Sequence, residues 1–200
     1  NSRLNGKDVT QMIEKTGFGF LHAAHFMPAW HHLTPLRRLF GLRTVLNTVE
    51  KLFNPANAPY QISGFFHANY IKRIRSTQSG QQASWMVQGE EGSIEMRAGR
   101  RTPIYGVRAE DDLILDTHQL GLPPQEREPI APDISLHAQL NASVLAGQAS
   151  PAANQVALTA GTMLMLLGAA SELADGVRRA QKILTSGAAQ KRLELIVALG

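Results

Sequence analysis

Apolar positions recur along this chain with two different periods, and the change of period marks out the elements. Over residues 7–16, Val9, Met12 and Ile13 fall at helical spacing, and Gly17 stands where a left-handed residue would close the helix. Residues 18–21 are too apolar to alternate, which predicts a central strand covered on both faces. Short helices broken at Pro28, Pro35 and Gly41 follow. Residues 60–65 and 83–87 read as strands, with a helix over about 68–77 between them that turns Ile71 and Ile74 inward and leaves Lys72, Arg73 and Arg75 toward solvent. That succession is a βαβ unit. Strands at about 102–108 and 113–117 are joined by Glu110-Asp111-Asp112, short enough for a hairpin.

Residues 120–132 carry prolines at 123, 124, 129 and 132 and predict an extended connection between sheet and helices. The remainder is helical. Asp133 caps a helix to about residue 146, and Ser150 or Pro151 opens an apolar helix ending near Gly168. Ser171 caps a third helix with Leu173, Val177, Ala180 and Leu184 inward and Arg178, Arg179 and Lys182 outward; residues 188–199 form the last. The fold class is therefore α/β: a mixed, largely parallel sheet flanked by helices, closing with a C-terminal helical layer.

Composition narrows this picture. With 44% hydrophobic residues in 200, the chain can bury a full core, and the apolar run 156–170 is too short to span a bilayer. The absence of cysteine excludes disulfides, thiolate nucleophiles and cysteine-ligated zinc and is compatible with a cytoplasmic protein. Neither an initiator methionine nor a signal-peptide pattern opens the chain, so a part of a longer protein is expected.

Charge is unevenly spread. Residues 1–108 hold 14 Lys and Arg against 6 Asp and Glu, whereas residues 109–200 hold 6 against 10. An anionic partner at the first half fits that asymmetry. His22, His25, His31 and His32 lie close together without metal-ligand spacing, and no GxSxG elbow accompanies the serines.

The stretch GFGFLHAAHFMPAWHHLTPLRRLFGLRTVLNTVEKLFNPA, residues 17–56, resembles a segment of the anthranilate phosphoribosyltransferases. QLNASVLAGQAS and the tail from residue 157 are similar to that family's closing helices. The resemblance implies that residues 1–200 are the C-terminal part of an α/β phosphoribosyltransferase-like domain. The family's N-terminal helical domain and glycine-rich phosphate loop have no counterpart in this sequence. It further implies transfer of a phosphoribosyl group from phosphoribosyl pyrophosphate to anthranilate with magnesium, and a homodimer.

Position by position the implied site is altered. Arg37 matches the arginine that engages the substrate carboxylate, and Glu95 matches one magnesium carboxylate. Met27 replaces a histidine, Glu50 and Lys51 replace a Gly-Pro turn, and Ile94 replaces the second carboxylate, which isoleucine cannot imitate. Thr48-Val49-Glu50-Lys51-Leu52 and the segment His67 to Ile71 are closer to the family's YbiB-type paralogues, which are nucleic-acid binders.

Two expectations follow. In the first, the substrate site is degenerate and nucleic acid binds without sequence specificity through Arg37, Arg38, Arg43, Lys51, Lys72, Arg73 and Arg75, with no cofactor and no membrane partner; Trp30 and Phe26 are candidates for stacking on bases. In the second, a pentosyltransferase uses phosphoribosyl pyrophosphate, magnesium at Glu95, and anthranilate or another acceptor at Arg37. A domain that only completes an oligomer is the third alternative.

Overall fold

The computed structural model describes residues 5–41, 45–78, 80–124 and 133–199. The chain divides into two compact units, Ala58–Gln190 and the pair Asn1–Asn57 with Lys191–Gly200.

The larger unit is built on a sheet ordered β1 (Tyr60–Gly64), β2 (Ala83–Val87), β3 (Arg101–Tyr105), β4 (Leu113–Asp116). β1 and β2 run parallel with Gly64 opposite Val87, and β2–β3 and β3–β4 are antiparallel. The mixed sheet is as expected, but among the described strands the antiparallel pairings outnumber the parallel one. β3 and β4 form the predicted hairpin across the connection 106–112, which is too short for the crossover that parallel neighbours need. β1 and β2 need a crossover, and it is made of three short pieces: a 3-10 turn at Ala68–Tyr70, α5 (Ile71–Ile74) and a second 3-10 turn at Arg75–Gln78. A single helix over 68–77 was the expectation. The segment lacks a side-chain cap at His67, and β-branched Ile71, Ile74 and Thr77 weaken a longer helix. Ile71 is nonetheless buried, as predicted.

Sheet and helices share one core. Val87, Met96, Ile104, Leu115, Leu158 and Val177 are buried together, with Ile62, Trp85, Ile94 and Leu173 packed around them. Leu158 comes from α7 (Pro151–Leu166), whose first turn is held by the Ser150 hydroxyl accepting from the Ala153 amide, as its sequence predicts. Val177 comes from α8 (Leu173–Thr185). α8 is preceded by Glu172 without a side-chain cap, in place of the expected Ser171 cap. α7 and α8 touch backbone to backbone: a Cβ on Gly176 would lie 2.3 Å from the Gly161 carbonyl oxygen. A second core joins Val144 of α6 (Ile134–Leu145) to Ala157, Ala180 and Leu184.

In the smaller unit, α1 (Gly6–Thr16) carries an Asn5–Asp8 capping box and ends on Gly17 at φ +70°. Val9 and Met12 are buried, while Ile13 is largely exposed, against expectation. The strand expected at residues 18–21 does not form. Phe18 and Phe20 are 48% and 51% exposed, and the Phe18 amide donates to the Thr16 hydroxyl while that hydroxyl donates to the Phe18 carbonyl. Local side-chain bonds have taken the groups that a strand would give to a ladder. α2 (Ala23–Phe26), α3 (Pro28–Phe40) and α4 (Val45–Leu52) follow. Pro28 and Gly41 bound α3 as predicted, but Pro35 lies inside it, because proline's fixed φ is helical and costs the helix one ladder donor. In the first half of α9 (Ala188–Leu199), Arg192 donates to the Thr16 carbonyl at 2.8 Å.

Candidate functional site

Loops at the carboxyl ends of parallel strands are where α/β proteins gather chemistry, and here two such loops leave β1 and β2 side by side. The Phe65 amide donates to the Val87 carbonyl at 2.8 Å, carrying the pairing one residue beyond β1.

The loop after β2, residues 88–95, closes on itself. The amides of Gly89 and Glu90 donate to the carbonyls of Ser93 (3.1 Å) and Glu95 (2.8 Å), and the Glu95 amide donates to the Ser93 hydroxyl (3.0 Å). Glu91 adopts the left-handed region at φ +48°, a strained setting for a side-chain-bearing residue. The Arg97 guanidinium, 9% exposed, reaches back to the Glu90 carboxylate with both Nε and Nη2. The loop is also pressed onto β1: a Cβ on Gly64 would lie 2.4 Å from the Ser93 carbonyl carbon. Only glycine permits that approach.

This loop carries the positions matched to the magnesium carboxylates. Ile94 packs against the apolar core and Glu95 is exposed. Glu90 is committed to Arg97, and among the described residues no group of three His, Asp or Glu side chains is disposed to hold a metal ion. Magnesium requires hard oxygen donors. The residues present do not make the paired-carboxylate site that the resemblance implies.

The loop after β1 has the opposite character. Phe66, His67 and Tyr70 lie on the surface in an edge-to-face chain, with centroids 4.8 Å apart for Phe66–His67 and 6.2 Å for His67–Tyr70. Lys72 and Arg73 are exposed on α5 and make no ion pair among the described residues. Arg75, assigned with them by sequence, is held instead by Asp112: its Nη2 donates to Oδ1 at 3.0 Å and Oδ2 at 2.9 Å.

Of the other candidates, Lys51 is exposed in the last turn of α4, beside half-buried Glu50. Met27 is half-buried at the end of α2. The side chains of Trp30, Arg37 and Arg38, and all of Arg43, lie outside the described residues. Sequence reasoning missed Arg97, because its partnership with Glu90 runs through space at a separation with no periodic signature.

Elsewhere, carboxylates hold the cations. Arg101, then the backbone and ring nitrogens of His118, keep Asp116 well below the usual carboxylate range, and Arg108 lowers Asp111.

The sequence matches the family described as "Glycosyl transferase family, a/b domain" over residues 2–190. It is 33% identical over 195 residues to an anthranilate phosphoribosyltransferase of Anaeromyxobacter sp. (strain K), covering 95% of this chain and 58% of that protein. A second relative so named, from Thermomicrobium roseum, is 33% identical over 207 residues, covering 98% and 59%. The chain thus spans less than two thirds of these relatives. Among solved structures, the anthranilate phosphoribosyltransferase of Thermus thermophilus superposes with a TM-score of 0.83 at 30% identity, covering 100% of this chain and 60% of that one. The Saccharomyces cerevisiae enzyme in complex with PRPP and Mg gives 0.85 at 19% identity, covering 98% and 56%, which speaks for the fold alone.

Proposed function

Because this chain belongs to the glycosyl transferase family, a/b domain, we propose that it uses that scaffold to bind nucleic acid, without sequence specificity, through its basic surface. The observation that carries the reading is the contrast at the two loop ends. Ile94, at a metal-binding position of the resemblance, is packed against the core, while Lys72 and Arg73 are exposed without carboxylate partners among the described residues. Unpaired cations bind phosphates by releasing condensed counterions, which gives affinity without base reading. Arg37, Arg38, Arg43 and Lys51 are assigned to the same role by their charge. Arg75 contributes less, since an incoming phosphate must displace Asp112. In this reading no cofactor takes part, and the protein acts in the cytoplasm as a homodimer.

Fluorescence anisotropy with labelled oligonucleotides of unrelated sequence tests it. Affinity is expected to vary little with sequence and, if two phosphates are neutralised, to fall about tenfold between about 50 and 200 mM salt. No binding at the lowest salt overturns the reading.

A second reading, phosphoribosyl transfer to anthranilate or another acceptor, is favoured by exposed Glu95 and by the two relatives named anthranilate phosphoribosyltransferase that are 33% identical to this chain. Magnesium often takes one or two carboxylates together with substrate phosphates. Glu95 would supply the only carboxylate of the implied pair, and Arg37 would hold the acceptor's anionic group. Heat on calorimetric titration with phosphoribosyl pyrophosphate and magnesium, lost in Glu95→Gln, favours this alternative; no heat counts against it.

A further inference from the structure

We propose that the segment following β1 holds an unpaired nucleobase against the Phe66–His67–Tyr70 rings while Arg73 and Lys72 take the adjoining phosphate, so that the preferred ligand is single-stranded nucleic acid. This rests on the nucleic-acid reading and gives it a site and a strand preference.

The local backbone builds the arrangement. A 3-10 turn has three residues per turn, so side chains three apart eclipse one another. His67 enters the Ala68–Tyr70 turn in extended conformation, and Tyr70 leads in the α region into α5. His67 and Tyr70 accordingly meet edge to face, and Arg73 follows Tyr70 at the three-residue spacing of helix neighbours, while Ile71, 1% exposed, anchors the segment to the core. The rings meet edge to face at 76° and 62°, and Phe66 and Tyr70 remain 48% and 53% exposed. A single exposed aromatic is ordinary. Three rings in five residues, joined through His67 and followed by two cations, match the stacking platform and phosphate contact of single-strand binders.

Charge separates this segment from the rest of its unit. Arg75, Arg97, Arg101, Arg108, Arg178 and Arg179 each face a carboxylate within 4 Å, and Lys72 and Arg73 do not. Arg100 and Lys182 also lack a carboxylate partner among the described residues, but they belong to other elements and to no ring cluster. On the other flank, Gly92 is packed so closely that a Cβ on it would lie 2.8 Å from the Phe66 amide, which brings the Glu90-Glu91 turn beside the rings. A duplex presents two phosphate strands and hides its base faces. A single strand can lay its one charged backbone on the cations and turn an uncharged base toward the rings beside the acidic turn.

The test is anisotropy on the full chain with oligothymidylate, an abasic chain of equal length, and a duplex. Tyr70→Ala, Phe66→Ala, Tyr70→Trp and the double variant Lys72→Glu/Arg73→Glu are compared, each confirmed folded by its melting curve. The chain is expected to prefer oligothymidylate over the abasic chain by about fivefold or more, and over the duplex. Tyr70→Ala and Phe66→Ala should abolish that preference without altering the salt slope, Tyr70→Trp should retain it, and the charge-reversed variant should weaken binding to all three ligands. Equal affinity for the three ligands overturns the base site while leaving nucleic-acid binding intact, as does a preference that survives both alanine variants. No binding to any of them overturns both.

Discussion

The two loops at the ends of β1 and β2 leave strands paired in register at Gly64 and Val87, yet they spend their polar groups in opposite directions. Residues 88–95 use many of theirs within the fold, on backbone turns, a serine hydroxyl, the bond from the Gln88 side chain to the Phe66 carbonyl and the Glu90–Arg97 ion pair. Residues 66–73 present rings and cations to solvent. On the proposed reading, a preserved scaffold changes its ligand in this way: one loop is structural, with its Glu90 carboxylate held by Arg97, and the neighbouring loop is the exposed chemical surface.

The largest break in that comparison should come from Gly64→Ala. Its Cβ would meet the Ser93 backbone, which has no side-chain freedom with which to yield, so a loss of about 3 kcal/mol or more is expected in denaturant unfolding. Arg97→Ala comes next. It strands the Glu90 carboxylate, part of which still reaches water, so a loss of about 2 kcal/mol is expected together with faster amide exchange in residues 88–97.

Acid should act more gently, through Asp116. Its carboxyl titrates below its ordinary range in the folded chain, so the stabilisation is present above the unfolded carboxylate pKa of about 4 and is lost as pH falls through the folded value. The melting temperature should therefore decline on acidification below about pH 4, with a shallower decline in Asp116→Asn. The smallest stability effect belongs to the outward loop: Tyr70→Ala and Lys72→Glu/Arg73→Glu should change unfolding free energy by about 0.5 kcal/mol or less. A larger loss would mean that these groups serve packing.

Much of this was legible in the sequence, and the misses have a common cause. The strand at Ala83–Val87, the Ser150 and Asp133 caps, the inward face of α8 and the bounds of Ala188–Leu199 follow from local periodicity and capping chemistry. Residues 18–21 misled because apolarity without a period does not distinguish a strand from a partly exposed loop, and Thr16 decided the outcome. At the site, the replacement of a carboxylate by Ile94 was readable from the resemblance. The capture of Arg75 by Asp112, 37 residues away, and of Glu90 by Arg97 was not, because ion pairs across a fold leave no mark on the chain.

Hydrogen exchange of the two loops under two ligands tests the central claim most directly. With single-stranded oligonucleotide, amides of residues 66–78 should gain protection while residues 88–97 stay unchanged, and phosphoribosyl pyrophosphate with magnesium should protect neither. Protection of residues 88–97 by phosphoribosyl pyrophosphate and magnesium, with no response of residues 66–78 to the oligonucleotide, would contradict the account.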